Sequence, residues 1–124
     1  LWFYTEKMDF SVFKYQDESG PFIESILGLD ALVVTTVKLI LKNRQMIELL
    51  DFATHKKNIS EKLINDIGPT HLAFTVDNLD ETYTDFLNDG INFISKPKMS
   101  QDGRVKVAFC KSPEGTYIEL VESI

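Results

Sequence analysis

Hydrophobic and polar positions in the second half of the chain alternate with the period of a strand, then of a helix, then of strands again. Residues 70–77 carry an apolar side chain at every second position, which predicts a strand. Residues 79–88 predict a helix with Asn78 as its N-cap and Gly90 as its end. Further strands are predicted at 91–95, 103–110 and 116–122. The predicted order is therefore βαβββ.

The first half repeats this order without its opening strand. Its predicted elements are a helix at 1–8, a strand at 10–15, a turn at 17–21, a short helical or irregular stretch at 22–29, and strands at 31–41 and 45–51 joined by a turn. Val37-Lys38 is aligned with Val105-Lys106 in this comparison, and residues 60–67 have a helical tendency. The fold class is α+β: two βαβββ modules with curved mixed sheets, module one at 1–52, a linker at 53–68 and module two at 69–124.

Composition narrows the function classes. A chain of 124 residues is one domain by size, and a net charge of −6 argues against a nucleic-acid partner, which would favour a basic face. No apolar run approaches the length of a membrane span, and no secretory signal is visible. A single cysteine, Cys110, is expected in the core and suits a reducing compartment. We therefore expect a cytoplasmic protein with neither a nucleic-acid nor a membrane partner.

Three polar residues occupy strand positions where they face away from their apolar neighbours. Glu48, His71 and Glu119 each alternate with residues that suit packing beneath a helix. A carboxylate among apolar strand residues is costly to bury unless a partner such as a metal ion pairs it. Imidazole with carboxylates suits Fe, Ni, Mn, Co or Zn better than calcium. The competing interpretation is that these are ordinary polar residues on a solvated sheet face.

Two segments of the second half resemble the vicinal oxygen chelate superfamily, which includes glyoxalases, bleomycin resistance proteins and extradiol dioxygenases. They are HLAFTVDNL at 71–79 and SPEGTYIELV at 112–121, together with the helix that ends at Gly90. In the first half, Phe3-Tyr4 followed by Met8-Asp9-Phe10 is similar to the aromatic helix and turn of that family, with Asp9 in place of the usual glycine.

The resemblance implies a divalent metal ion (Ni, Zn, Fe, Mn or Co) held by Glu48, His71 and Glu119. It implies a lyase or isomerase of the lactoylglutathione lyase type, which acts on a substrate with vicinal oxygens through an enediolate-type intermediate. Glu119 is then the first choice for the general base and Glu48 the second. The alternatives are a ligand-sequestering protein of the drug-resistance type, a methylmalonyl-CoA epimerase-like enzyme that would need a basic rim, or an extradiol dioxygenase-like enzyme.

Two further expectations concern assembly and the fourth ligand. The family takes one ligand from the first strand of each module. His71 lies 19 residues before Gly90, and Asp9 is the residue of module one that corresponds to Gly90. The same interval counted back from Asp9 predicts a histidine or similar ligand about ten residues before Leu1. A homodimer is expected because dimers are common in the superfamily. The second histidine, His55, lies in a polar connection and is interpreted as a solvated loop residue.

Overall fold

The computed structural model describes all residues, 1–124, and folds into two compact units, Leu1–Asn58 and Ile59–Ile124. Each unit contains one sheet, and helices are few. The predicted α+β fold class is confirmed. None of the helices has the length and apolarity needed to span a bilayer.

Unit one contains a three-stranded antiparallel sheet in the order β1-β2-β3. A π-helical turn at Phe3–Lys7 comes first, where a longer helix at 1–8 is predicted. The other elements are β1 (Ser11–Ser19), α1 (Pro21–Leu27), β2 (Val33–Ile40) and β3 (Met46–Phe52). A core cluster of Ile23, Leu32 and Val34 packs with the partly buried Leu29 and Phe52.

The predicted turn at 17–21 is wrong, because β1 continues to Ser19. Two polar residues of the predicted turn are fixed by the neighbouring strand. The Thr35 hydroxyl donates to Asp17 at 2.7 Å, and the Thr36 hydroxyl donates to Glu18 at 2.9 Å. Cross-strand pairing thus overrides the local preference of acidic and small residues for turns.

Unit two contains a four-stranded sheet in the order β4-β7-β6-β5. Its elements are β4 (His71–Thr75), α2 (Leu79–Asn88), β5 (Lys98–Met99), β6 (Val105–Lys111) and β7 (Tyr117–Ser123). β4 runs parallel to β7, and the other pairs are antiparallel. Sheet one has three strands where sheet two has four, and it lacks the counterpart of β4, as predicted.

Helix α2 has the bounds that the sequence predicts. The Asn78 side chain accepts a hydrogen bond from the Glu81 backbone N–H at 3.1 Å, which caps the first turn. Gly90 follows the helix at φ +80°, a conformation that glycine adopts without strain. The buried residues of the helix are Leu79 and Phe86.

Two local predictions for unit two are wrong. Residues 91–95 do not form a strand: only Phe93 makes an isolated bridge, to Cys110, and its ring packs on Tyr83 at 4.7 Å between centroids. The short strand begins after Pro97 instead. Residues 60–67 do not form a helix: the chain turns at 64–65, where the Asp66 carboxylate accepts from the Leu63 backbone N–H at 2.9 Å and closes a tight loop.

The register of the two hairpins corrects the alignment of the two halves. Lys38 pairs with Glu48 in sheet one, and Phe109 pairs with Glu119 in sheet two. Both intervals are ten residues, since 48 − 38 = 10 and 119 − 109 = 10. Lys38 therefore corresponds to Phe109 and not to Lys106. The two hairpins have the same length, so neither contains an insertion relative to the other.

One face of sheet two is apolar and forms part of the core of unit two. Ile118, Leu120 and Cys110 are fully buried there, as predicted. Burial raises the pKa of the Cys110 thiol to about 12, so the thiol stays protonated at neutral pH. Cys110 is thus a core residue rather than a reactive one.

The N-terminus of α2 is tied to β7 through Glu122. The Leu79 backbone N–H donates to the Glu122 carboxylate at 2.8 Å, and the ammonium of Lys106 lies 2.7 Å from Asp80 and 3.8 Å from Glu122. The hydrogen bond to Asp80 is the main cause that raises the pKa of Lys106. A carboxylate in this position satisfies a free helix N–H and complements the helix dipole.

We predict that Glu122→Ala lowers the free energy of unfolding by about 1–2 kcal/mol, because a helix N–H loses its charged acceptor. Urea denaturation followed by circular dichroism measures this change. The control is Glu61→Ala, an exposed glutamate of the segment before β4, which should change stability by less than about 0.5 kcal/mol. Equal effects of the two substitutions would contradict the capping role.

Candidate metal and catalytic site

The polar face of sheet two brings His71 and Glu119 together. His71 Nε2 lies 3.4 Å from Glu119 Oε2. In the parallel ladder Tyr117 is opposite His71 and Ala73 is opposite Glu119, so the two functional residues are diagonal neighbours on adjacent strands. Their side chains are 39% and 25% exposed, which leaves the pair open to a small molecule but partly shielded from water.

The strand period explains why both side chains point to this face. Ile118 and Leu120 flank Glu119 and are fully buried on the other side of the sheet. In β4, Phe74 is partly buried, whereas His71 is exposed; Leu72, predicted to pack beneath the helix, is 41% exposed. The predicted orientation of Glu119 is confirmed.

Two neighbours orient the His71 ring. Thr70 Oγ1 lies 2.9 Å from Nδ1, and the Phe109 ring packs edge-to-face at 5.4 Å between centroids. If Nδ1 carries the proton it donates to the Thr70 hydroxyl, and Nε2 then presents its lone pair beside Glu119. This is the tautomer that a metal-ligating histidine needs, with an outer partner on its second nitrogen. Thr70 and Phe109 are positioning residues that the sequence analysis missed.

The separation of the two side chains fits a shared metal ion. Ligand atoms that each lie about 2.1 Å from a first-row ion are roughly 3.0–3.5 Å apart in octahedral or tetrahedral geometry. The observed 3.4 Å falls in this range. One imidazole and one carboxylate are also an appropriate donor set for Zn, Ni, Fe, Mn or Co. Neither unit by itself contains a group of three or more His, Cys, Asp or Glu side chains suited to a metal ion.

Glu48 lies at the equivalent position of unit one. It is in β3, opposite Lys38, whose Nζ is 3.8 Å from Glu48 Oε2. The Glu48 side chain is 41% exposed, so the salt bridge with Lys38 is a weak, solvent-screened one. Ile47 and Leu49, which point the other way, are partly buried as predicted.

Further polar residues share the sheet face of Glu48. Thr36, which is buried, donates to Glu18 at 2.9 Å, and Gln16 donates to the other oxygen of Glu18 at 3.3 Å. Gln16 pairs with Thr36, two residues from Lys38 along β2. The sequence analysis missed this group because it assigned Glu18 to a turn. A search for alternating polar residues on β1 would have found it.

A cavity of about 410 Å³ adjoins His71 within unit two. Its lining includes Thr70, His71 and Leu72 from the start of β4 and Gly115 and Thr116 from the turn before β7. Ile59, Ser60 and Lys62 also line it, and the Lys62 ammonium donates to the Pro69 carbonyl at 2.6 Å. The imidazole therefore borders a space large enough for a small substrate.

The second histidine, His55, has its own local contacts. His55 belongs to unit one, has a positive φ of 57° and is exposed. Its Nδ1 lies 3.1 Å from the Thr54 hydroxyl, which itself accepts from the Val33 backbone N–H at 2.9 Å. The solvated loop position predicted for His55 is confirmed.

Comparison with known proteins identifies the fold. The family model for the Glyoxalase/Bleomycin resistance protein/Dioxygenase superfamily matches residues 1–120. A glyoxalase-family protein from Bacillus cereus superposes with a TM-score of 0.88 at 19% identity, over 97% of this chain and 82% of that one.

Two glyoxalase I structures are also similar. The one from Zea mays gives a TM-score of 0.68 at 18% identity, over 98% of this chain but only 41% of the maize chain. A trypanothione-dependent glyoxalase I from Leishmania major gives 0.63 at 21% identity, over 98% and 74%. At these identities the structures show a shared fold. The chain belongs to the Glyoxalase/Bleomycin resistance protein/Dioxygenase superfamily.

Proposed function

Because the chain belongs to this superfamily, we propose that it is a metal-dependent lyase or isomerase of the lactoylglutathione lyase type. Its substrate is a small molecule with vicinal oxygens, and the reaction passes through an enediolate-type intermediate. The observation that carries this proposal is the 3.4 Å approach of His71 Nε2 to Glu119 Oε2 on the polar face of sheet two. Superfamily members bind small-molecule substrates and commonly use a divalent metal ion.

His71 and Glu119 would hold the metal ion, and Glu48 is the third proposed ligand because it occupies the position in unit one that Glu119 occupies in unit two. A divalent ion supplies Lewis acidity, which stabilises negative charge on vicinal oxygens of a substrate. The Thr70 hydroxyl holds the His71 ring in the tautomer that leaves Nε2 available.

Glu119 is the proposed general base. Its carboxylate takes a proton from the carbon that bears the hydroxyl, and the electron pair of that C–H bond forms a carbon–carbon double bond while the adjacent carbonyl oxygen becomes negative. The same carboxylate then returns the proton to the neighbouring carbon, while the proton of the original hydroxyl moves to the former carbonyl oxygen, so that the hydroxyl oxygen becomes the new carbonyl. The reaction is an isomerisation, so it needs no external oxidant or reductant. Glu48 is the second candidate for this proton transfer.

Metal content tests the ligand assignment. Purified protein should carry a stoichiometric first-row divalent metal by inductively coupled plasma mass spectrometry, and His71→Ala should lose it because the only imidazole of the pair is removed. The control is His55→Ala, the other histidine of the chain, which should keep its metal. Urea denaturation shows that both variants remain folded.

The same measurement separates the alternative functions. A metal-free wild-type protein that still binds ligands would support the sequestering role. Unchanged metal content in folded His71→Ala would contradict the assignment of His71.

An enzyme assay tests the role of Glu119 as the general base. With the hemithioacetal of methylglyoxal and glutathione as substrate, Glu119→Gln should lower kcat by about 10²- to 10⁴-fold, because the amide cannot accept the proton. Formation of the thioester is followed by absorbance. The matched control is Glu122→Gln, three residues along β7 on the other face, which keeps a hydrogen-bond acceptor for α2. Full activity in a Glu119→Gln variant of unchanged metal content would overturn the role of Glu119.

We also propose a cytoplasmic homodimer. A reducing compartment agrees with the single, buried cysteine, and superfamily members often form oligomers. In sheet one, β3 pairs only with β2, so its second edge is available to another strand. Light scattering at micromolar concentration should give twice the mass of the chain; a monomeric mass would contradict the dimer.

A further inference from the structure

A cavity of about 690 Å³ lies in unit one, and no proposed metal ligand or general base is among its lining residues. Its apolar lining consists of Leu29, Leu50 and Phe52. Leu29 and Phe52 also pack on the core cluster of unit one, so the floor of the cavity is fixed by the fold. Its volume is within the range typical of small-molecule sites.

The rim of this cavity is basic. Lys56 and Lys57 line it together with His55, and Asp51 is the one carboxylate among its lining residues. With His55 neutral, the rim carries a net charge of +1, from two lysines and one aspartate, in a chain whose net charge is −6. A local reversal of charge beside an apolar floor favours a ligand with an apolar body and an anionic group.

The cavity shares a sheet face with Glu48. Leu50 and Phe52 are two and four residues beyond Glu48 in β3, so all three side chains point to the same side of sheet one. On this face of β3 a carboxylate is followed by two apolar residues, and the basic segment at 55–57 follows after the strand ends. A molecule whose oxygenated end is at Glu48 would extend its apolar body over Leu50 towards the lysines.

We propose that this cavity binds the non-reacting part of an amphipathic organic acid, an aliphatic or aromatic body that ends in a carboxylate. The apolar body contacts Leu29, Leu50 and Phe52, and the carboxylate faces Lys56 and Lys57. The assignment of this acid as the substrate class rests on the proposed function, because it places the reacting oxygens at the Glu48 end. The binding of the acid to the cavity involves unit one alone.

Octanoate is the probe, because it has the apolar body and the carboxylate but no vicinal oxygens and so cannot react. Isothermal titration calorimetry in EDTA measures its binding without metal or turnover. Affinity should fall by about fourfold for each methylene removed, through hexanoate to butyrate, if the chain is buried. Octanol, which lacks the charge, should bind about tenfold more weakly than octanoate, and added salt should narrow this gap.

Two pairs of variants locate the site. Lys56→Glu with Lys57→Glu should weaken octanoate about tenfold or more, whereas Lys96→Glu with Lys98→Glu, an identical change of net charge at exposed residues of unit two, should not. Leu50→Thr should weaken binding severalfold, whereas Phe13→Thr, at an exposed residue of β1 that does not line the cavity, should not.

The possible outcomes distinguish a failure of the cavity proposal from a failure of the proposed enzymatic function. Octanoate binding that is lost in the Lys56/Lys57 variant but kept in Glu119→Gln supports the cavity, whatever the enzyme assay gives. Absence of binding, equal binding of octanoate and octanol, or equal loss in both double-lysine variants overturns it, while the metal and activity measurements stand on their own. Binding only to anionic lipid vesicles, and not to octanoate, would overturn it in favour of a membrane surface.

Discussion

The parallel pairing of β4 with β7 is the constraint on which the candidate site depends. His71 and Glu119 are 48 residues apart, since 119 − 71 = 48, and they meet only because the first and last strands of unit two are neighbours. Parallel neighbours require a crossover connection, and α2 supplies part of it. The Glu122–Leu79 hydrogen bond fixes the start of that helix to β7 from the opposite face of the sheet. One strand therefore anchors the helix with one carboxylate and presents another to the site.

The two hairpins have the same register but different chemistry opposite the glutamate. Glu119 is opposite Phe109, whose ring also packs on His71, so its nearest polar partner is an imidazole. Glu48 is opposite Lys38, a permanent cation. A metal ion that binds Glu48 must therefore displace an ammonium, whereas the imidazole beside Glu119 is itself a possible metal ligand. This difference favours the pair in unit two over Glu48 as a metal-binding group.

The sequence predicts the fold best where side-chain period and capping agree. The bounds of α2 follow from Asn78, the apolar positions and Gly90 together, and the alternation in β7 correctly separates Glu119 from Ile118 and Leu120. Prediction from the sequence fails where contacts between distant residues determine the local structure. Glu18 has the local preference of a turn residue, but the Thr36 hydroxyl of the neighbouring strand donates to its carboxylate. Phe93 lies in a run that resembles a strand, but its ring packs on Tyr83. Thr70 and Phe109 could not be assigned to the site, since their role depends on which strands are adjacent.

The net charge of a chain does not describe its local charge distribution, as the basic cavity rim in unit one shows. The excess of acidic residues argues against a phosphate-backbone ligand, because such a ligand requires a broad basic surface. A single carboxylate requires only one or two cations within a Debye length, and the field of a more distant acidic surface is screened by salt. Lys56 and Lys57 lie in the segment that the sequence predicts as a linker, yet they border an apolar cavity in the folded unit. A selective site for a small acid can therefore exist in a chain whose overall composition disfavours anions.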